Sequence, residues 1–363
     1  MALGNSGHKY TIVADEIRNA INSGKIAPGS RLETEEALSV RFGVSRQTVR
    51  HAISILADEG LIIRRQGSGT YVLDEKDVRR RRTKTIGVVT TYISEYILPS
   101  MIRGIEEVTS KRGYSFHIRS TGNRMDNEKD VLNDFLQNPV DGLIVEGSKT
   151  AFPNPNLDLY RKIIQSGTPI VFLSGYYHAL GDCIYVVTDD YGGGKQACEL
   201  LIARGHRRIG GIFKADDNQG HDRFAGFIDA ARAAGIELHD NNLLWFTTET
   251  RNMLFEGDNA KKMLDSLEGC SAVICYNDQI AAPLLAELLR AGKRVPEDVA
   301  IISFDDSKYA SLTPVKITSL GHPKEEIGRV AANKLLNMIN GKKESPAVLD
   351  WTLVENESTM FDR

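Results

Sequence analysis

From residue 85 onward the chain alternates short β-branched runs with helical stretches, and this alternation restricts the folds open to it. The runs are "TIGVVTT", "SFHIRS", "DGLIVEG", "PIVFLS", "RIGGIFK", "AVICYN" and "VAIISFDD". Helical patterns lie between them, including 100–112, 128–137, 193–204, 223–234 and 279–291. Runs that are apolar throughout and separated by helices predict buried parallel sheets joined by right-handed crossovers. A stretch of this length suits two doubly wound lobes better than one sheet. Ligands of such sheets bind at the carboxyl ends of the strands. Those ends read "TTYISEY", "VEGSK", "FKADD", "CYNDQ" and "SFDDS", and they are rich in hydroxyls, carboxylates, amides and aromatic rings.

The first part of the chain has a different pattern, over residues 8–73. A helix is predicted over 10–23, with Ile12, Val13, Ile17, Ala20 and Ile21 on one face and Gly24 ending it. Thr34 is placed to cap a second helix, "EEALSVRF", which Gly43 stops. Ser45 caps a third that runs to Glu59, with Gly60 just beyond it. "LIIRR", "QGSG" and "TYV" then form a β-hairpin. In the third helix Val49, Ile53 and Leu56 recur at helical spacing and must face the core. That turns Gln47, Arg50 and Ser54 outward, with Arg46 at the exposed start. Arg can be bidentate to guanine and Gln to adenine in a major groove. The same residues could equally cover a solvated surface; the basic, glycine-tipped hairpin directly after the helix favours DNA.

Residues 74–84, "DEKDVRRRRTK", read as a solvated linker. The formal charge of −3 hides an asymmetry, since residues 1–84 carry 15 Lys+Arg against 10 Asp+Glu. A basic head on an acidic body suits a polyanionic partner for the head. Residues 1–7 are expected to lie outside the fold. No apolar run is long enough for a membrane span and "MALGNSGHKY" has no secretory core, so a cytoplasmic protein is expected. Cys183, Cys198, Cys270 and Cys275 are scattered and read as buried reduced thiols, with no metal site. No nucleophile elbow, zinc-protease or kinase signature occurs, so no enzyme and no cofactor are expected. "YGGGKQ" lacks the spacing of a phosphate loop.

Residues 9–72 resemble the GntR family of bacterial regulators almost end to end. The match includes the "GKIAPGSRL" turn, "FGVSRQTVRHA", "LADEGL" and the "GSGTYV" wing. The resemblance implies a winged helix-turn-helix domain that binds operator DNA as part of a homodimer. By position, Arg46, Gln47 and Arg50 would read bases, and Ser45 and Thr48 would hold phosphate. Gln66, Gly67 and Gly69 would place the wing, while Lys9, just before the first helix, and Glu35 are weaker candidates.

Residues 85 to about 355 resemble the effector domain of the LacI/GalR repressors and the periplasmic sugar-binding proteins. "DDYGGGKQACELLIARGHRRIGGI", "DRFAGFIDA", "CYNDQIA", "VPEDVAIISFDDS" and "TSLGHPKEEIGRVAANKLL" follow in that family's order. The fold expected is therefore a small winged helix-turn-helix domain (α+β), followed by a two-lobed α/β periplasmic-binding-protein-like domain with parallel sheets. The pairing of these two parts, with "TTYISEYILPSMIRGIE" and "FKADDNQG", resembles the L-arabinose-responsive repressors. That implies a small sugar effector, L-arabinose or a relative.

A sugar needs planar bidentate groups and a flat apolar face. The candidates are Tyr92, Glu95, Tyr96, Glu146, Lys214, Gln219, Arg223, Asn277, Asp305 and His322. The LacI/GalR resemblance singles out Arg223, Asn277 and Asp305. Tyr96 could instead be core, and His322 a helix cap. Asp278 is read as the N-cap of its helix, and Asp216 and Asp217 as a surface turn. The expected function is a repressor released from DNA by its sugar. The alternatives are an activator or a sensor of another ligand on the same architecture, or a sugar-binding transport component, which the basic head disfavours.

Overall fold

A computed structural model of the chain describes residues 6–65, 68–74, 82–93 and 96–360. It forms two compact units, Met1–Thr83 and Lys84–Arg363. The first unit packs three helices, α1 (Ser6–Asn22), α2 (Glu35–Phe42) and α3 (Arg46–Asp58), against a hairpin of β1 (Ile62–Arg65) and β2 (Gly69–Val72). Val13, Ile17, Leu38, Val49, Ile53, Leu56, Ile62 and Val72 form its core. The local signals are used as chemistry predicts: Thr34 accepts from the Ala37 amide, and Ser45 from the Thr48 amide. Gly43 adopts a left-handed conformation (φ +60°) that ends α2. One boundary differs: α1 begins at Ser6, so Ser6 and Gly7 are helical and Lys9 lies inside the helix rather than before it.

The second unit runs β3 (Thr85–Thr90), α4 (Leu98–Ser110), β4 (Ser115–Ser120), α5 (Met125–Gln137), β5 (Gly142–Val145), α6 (Leu157–Gln165), β6 (Ile170–Leu173) and β7 (Ile184–Thr188). It continues with α7 (Asp190–Ala203), β8 (Ile209–Lys214), α8 (Asn218–Ala233), β9 (Leu243–Phe246), α9 (Gly257–Ser266), β10 (Ala272–Cys275) and α10 (Asp278–Arg290). β11 (Ala300–Asp305), α11 (Lys308–Ser311), β12 (Thr318–Gly321), α12 (Lys324–Ile339), β13 (Ala347–Leu349) and β14 (Thr352–Val354) complete it. One sheet has the order β13-β7-β6-β5-β3-β4, and its pairs are all parallel. The other has the order β14-β12-β11-β10-β8-β9 and is parallel apart from β14.

The chain crosses between the lobes three times. α7 follows a strand of the first lobe but packs in the second, with Ala197, Cys198 and Leu201 against Ile274 and Phe304. α12 follows a strand of the second lobe but returns to the first, with Ile327, Ala331 and Leu335 against Ile86 and Val171. β13 and β14 then join one sheet each. The crossings therefore lie between Thr188 and Asp190, Gly321 and Lys324, and Leu349 and Thr352. Closely crossed helix pairs stiffen both lobes. A Cβ at Gly328 would overlap the Met101 carbonyl of α4, and one at Gly226 would overlap the Tyr191 carbonyl of α7.

Candidate functional site

Two surfaces carry concentrated polar chemistry. In the head, α3 buries Val49, Ala52, Ile53 and Leu56 and leaves Arg46, Gln47, Arg50 and Ser54 exposed. Ser45 and Thr48 are joined by their hydroxyls at 2.9 Å. Acids of α2 hold the arginines: Glu36 pairs with Arg46, and the Glu35 carboxylate accepts from the Arg50 guanidinium at 3.0 and 3.2 Å. The Arg64 guanidinium, from the hairpin, lies 3.9 Å from the same Glu35. Glu35 thus fixes the side chains around it. Lys9 is an exposed residue of α1. Arg65 lies over the Tyr71 ring at 4.7 Å, and Gly69 at φ +119° leaves room for the Arg31 guanidinium. Gln66 and Gly67 fall outside the described residues, as do Glu95 and linker residues 75–81.

In the body, a cavity of about 270 Å³ lies between the lobes, at the carboxyl ends of the strands. The first lobe contributes Thr90, Tyr92, Tyr96, Asn123, Glu146, Thr150 and Ser174, and the second Lys214, Asp217, Gln219, Arg223, Phe246, Arg251, Tyr276, Asn277, Gln279 and Asp305. Glu146 is oriented by the Thr90 hydroxyl at 2.8 Å and the Thr91 amide at 2.7 Å. The Tyr96 hydroxyl donates to Asp305 at 2.5 Å and so spans the cleft. Asn123 donates to Thr248, the Asn218 amide to Thr150, and Lys149 pairs with Glu249, all from one lobe to the other.

Arg223 is almost wholly buried. Its guanidinium donates to Asp190 at 2.8 Å and to the Tyr276 carbonyl at 2.5 Å, between the rings of Phe304, Trp351 and Tyr276. Burial works against the Arg223 charge, yet Asp190 keeps its pKa above the ordinary value. Asp190, for its part, is pushed up to about 7 by burial, with the guanidinium opposing. Lys214 sits between Asp216 at 3.0 Å and Asp217 at 2.8 Å, and the Tyr276 hydroxyl donates to Asp217 at 2.6 Å. Burial would raise the Asp217 carboxyl, but the Lys214 ammonium holds it below the usual range.

Three readings need correction. Asp216 and Asp217 are not a surface turn; both are buried, because Lys214 neutralises them and Asp217 caps α8 through the Gly220 amide. Asp278 is not an N-cap: it is the first residue of α10, and Asn277 holds the cap position without a side-chain capping bond. The Asp278 carboxylate instead accepts from the Ser307 amide at 2.6 Å and the Ser319 hydroxyl at 2.9 Å, tying two strand ends together. His322 does not line the cleft. It lies behind Asp305 on a crossover, edge-on to Trp351 at 5.3 Å, and burial lowers its pKa to about 4. The fold also brings into the cavity wall Asn123, Thr150, Ser174, Phe246, Arg251, Tyr276 and Gln279, which the sequence does not single out.

Family models match both parts: "bacterial regulatory proteins, gntR family" over residues 9–72, and "periplasmic binding protein-like domain" over residues 198–359. The chain is 37% identical to an arabinose metabolism transcriptional repressor of Halalkalibacterium halodurans, over 93% of this chain and 90% of that one. It is 39% identical to the repressor of the same name from Geobacillus stearothermophilus, over 91% of each. The chain belongs to the family of arabinose metabolism transcriptional repressors.

It is thus a transcriptional repressor with a GntR-type DNA-binding domain and a LacI-type effector domain, not an enzyme. A periplasmic binding protein/LacI regulator of Alkaliphilus metalliredigens, solved with D-xylulofuranose, superposes with a TM-score of 0.66 at 25% identity, covering 77% of this chain and all of that one. The HTH-type transcriptional repressor PurR of Erwinia tasmaniensis is 28% identical over 90% of this chain and 97% of its own. Among the described residues no helix is long and apolar enough to cross a membrane.

Proposed function

We propose that this repressor is released from its operator by L-arabinose bound between the lobes. It would govern genes for uptake and catabolism of that sugar, as a cytoplasmic homodimer whose two heads read two half-sites. The observation that carries this reading is the cavity wall. Glu146, Asn277, Gln279 and Asp305 supply planar bidentate groups, Lys214 and Arg223 supply donors, and Tyr276 and Phe246 supply apolar faces. Several hydroxyl groups on a compact ring match such a set.

In the head, Arg46, Gln47 and Arg50 read base edges, Ser45, Thr48 and the wing meet phosphates, and Glu35 aims Arg50. In the cleft, Tyr92, Tyr96, Glu146, Lys214, Gln219, Arg223, Asn277 and Asp305 surround the sugar. No cofactor is required. Sugar bridging both lobes favours the closed arrangement, and the change in the body weakens DNA affinity through coupling of the two sites.

The cations Lys214, Arg223 and Arg251 in the wall admit a second reading, a purine or phosphorylated effector. Carboxylates at Glu146, Asp217 and Asp305 repel phosphate, and favour the neutral polyol. Calorimetric titration with L-arabinose, D-xylose, D-ribose, D-galactose and a phosphorylated pentose decides between them. The reading expects binding of L-arabinose at least tenfold tighter than of the rest. Silence with L-arabinose and binding of another ligand would overturn the assignment.

A further inference from the structure

Ser174 follows β6 at the bottom of the first lobe's wall, with a relative exposure of 4%, and it lines the cavity. Its hydroxyl is buried without a hydrogen-bond partner among the described residues. Buried polar groups in native proteins are hydrogen-bonded, so a hydroxyl with no protein partner at a cavity wall points to something in the cavity that completes it. Its backbone is also unusual: φ is +63°, in the left-handed region that a serine enters at a cost.

The surroundings hold it there. The Ser174 amide donates to the Val186 carbonyl at 3.0 Å, and the Gly175 amide to the Leu173 carbonyl at 2.7 Å. Just beyond, the Tyr176 carbonyl accepts from Asn218 of the second lobe at 3.0 Å, and the Tyr177 hydroxyl donates to the buried Glu128 at 2.6 Å. Strain that persists because neighbours over-determine it collects at binding sites. Gly147 and Gly175 also line the cavity, and a Cβ at either would press on the Thr150 side chain, so the Thr150 side chain packs against both glycines beside Ser174.

We infer that Ser174 is a specificity residue of the effector site: its strained backbone presents a preformed hydroxyl that bonds one hydroxyl of the sugar from the first lobe. A hydroxyl both donates and accepts, so this point takes a neutral polyol group and rejects a methyl or a hydrogen there. This rests on the sugar reading given above.

Two variants separate the hydroxyl from the strain. Ser174→Ala removes the hydroxyl and keeps the backbone conformation; Ser174→Gly removes the hydroxyl and relieves the conformation. Calorimetry with L-arabinose and its monodeoxy analogues, together with thermal melts without sugar, is the test. Both variants should bind L-arabinose about ten- to a hundredfold more weakly. One monodeoxy analogue should bind wild type and Ser174→Ala equally. Without sugar, Ser174→Ala should melt no lower than wild type, and Ser174→Gly should melt above Ser174→Ala. Unchanged sugar affinity in both variants would overturn the inference, as would loss of binding accompanied by a lower melting point in Ser174→Ala. If wild type binds none of the sugars tested, the sugar reading itself fails, and this inference with it.

Discussion

Glu128 on α5 is a fully buried carboxylate, and the five donors that the structure places on it are neutral. One oxygen accepts from the Ser148 amide at 3.0 Å and from the hydroxyls of Tyr160 at 2.9 Å and Tyr177 at 2.6 Å. The other accepts from the side-chain amides of Asn154 at 2.7 Å and Asn156 at 2.9 Å. Glu128→Gln keeps the shape and replaces one oxygen with an NH₂ group. Placed at the second oxygen, that group faces two amide donors. Asn154 cannot turn its own oxygen toward it without losing the bond it accepts from the Asn156 amide. Placed at the first oxygen, it faces three donors. There the Tyr177 hydroxyl can turn its proton to the Ser148 carbonyl at 2.8 Å and accept from the new NH₂, whereas the Ser148 amide can only donate, so at least one buried donor loses its acceptor and the variant should lose about 1–3 kcal/mol. Urea denaturation of the whole chain, followed by circular dichroism, reads this as a lower midpoint for the body at unchanged slope. Sugar affinity should fall as well, because the segment so ordered carries Gly147 and Thr150 in the cleft wall. A loss below about 1 kcal/mol would refute the idea that these bonds order the segment.

Three further outcomes follow from the same geometry. Arg50→Ala should cost about 1–3 kcal/mol on specific DNA and clearly less on random DNA in an anisotropy titration; equal losses would make Arg50 a phosphate contact. Gly226→Ala should lower the melting midpoint of the body by several degrees, since its Cβ meets the Tyr191 backbone and α7 and α8 must separate. His322 titrates near 4 in the folded chain because of burial, against about 6.5 when unfolded. The unfolded chain thus takes up the proton first. The contribution is complete above pH 6.5 and is lost as pH falls from 6.5 to 4, amounting to about 2 kcal/mol by pH 5. Denaturation at pH 7 and pH 5 should therefore show a larger acid loss in wild type than in His322→Phe; equal losses would contradict the cause given.

The parts of this molecule most legible in its sequence are those decided locally. Thr34 and Ser45 bound their helices through their side chains, Gly43 and Gly60 through their backbone freedom, and β3, β8 and β11 announce themselves as buried, mostly apolar runs. Other strands are set by tertiary partners. β12 reads "TSLG", and its buried hydroxyls are satisfied by a segment some 40 residues later: the Thr318 amide donates to Ser358 at 2.8 Å, and its hydroxyl lies 2.6 Å from that of Thr359. β7 and β9 carry polar and aromatic residues at partly exposed positions and show no clean period. The site divides in the same way. Arg223, Asn277 and Asp305 sit in motifs of a recognisable family. Ser174, Tyr276, Arg251 and Thr150 acquire meaning only once two sheets set their strand ends face to face. Asp217 reads from sequence as charge in a solvated turn, because nothing local shows that Lys214 lies 2.8 Å away.

The central claim is the coupling of sugar and DNA. Its most direct test is the affinity of the full-length repressor for a DNA fragment selected from a random pool by tight binding, measured by anisotropy at fixed salt with and without saturating L-arabinose. The account predicts a weakening of about 5- to 150-fold, the span of a 1–3 kcal/mol coupling, and an equal weakening of L-arabinose binding when the DNA is present. An operator affinity unchanged by a sugar that demonstrably binds would contradict it.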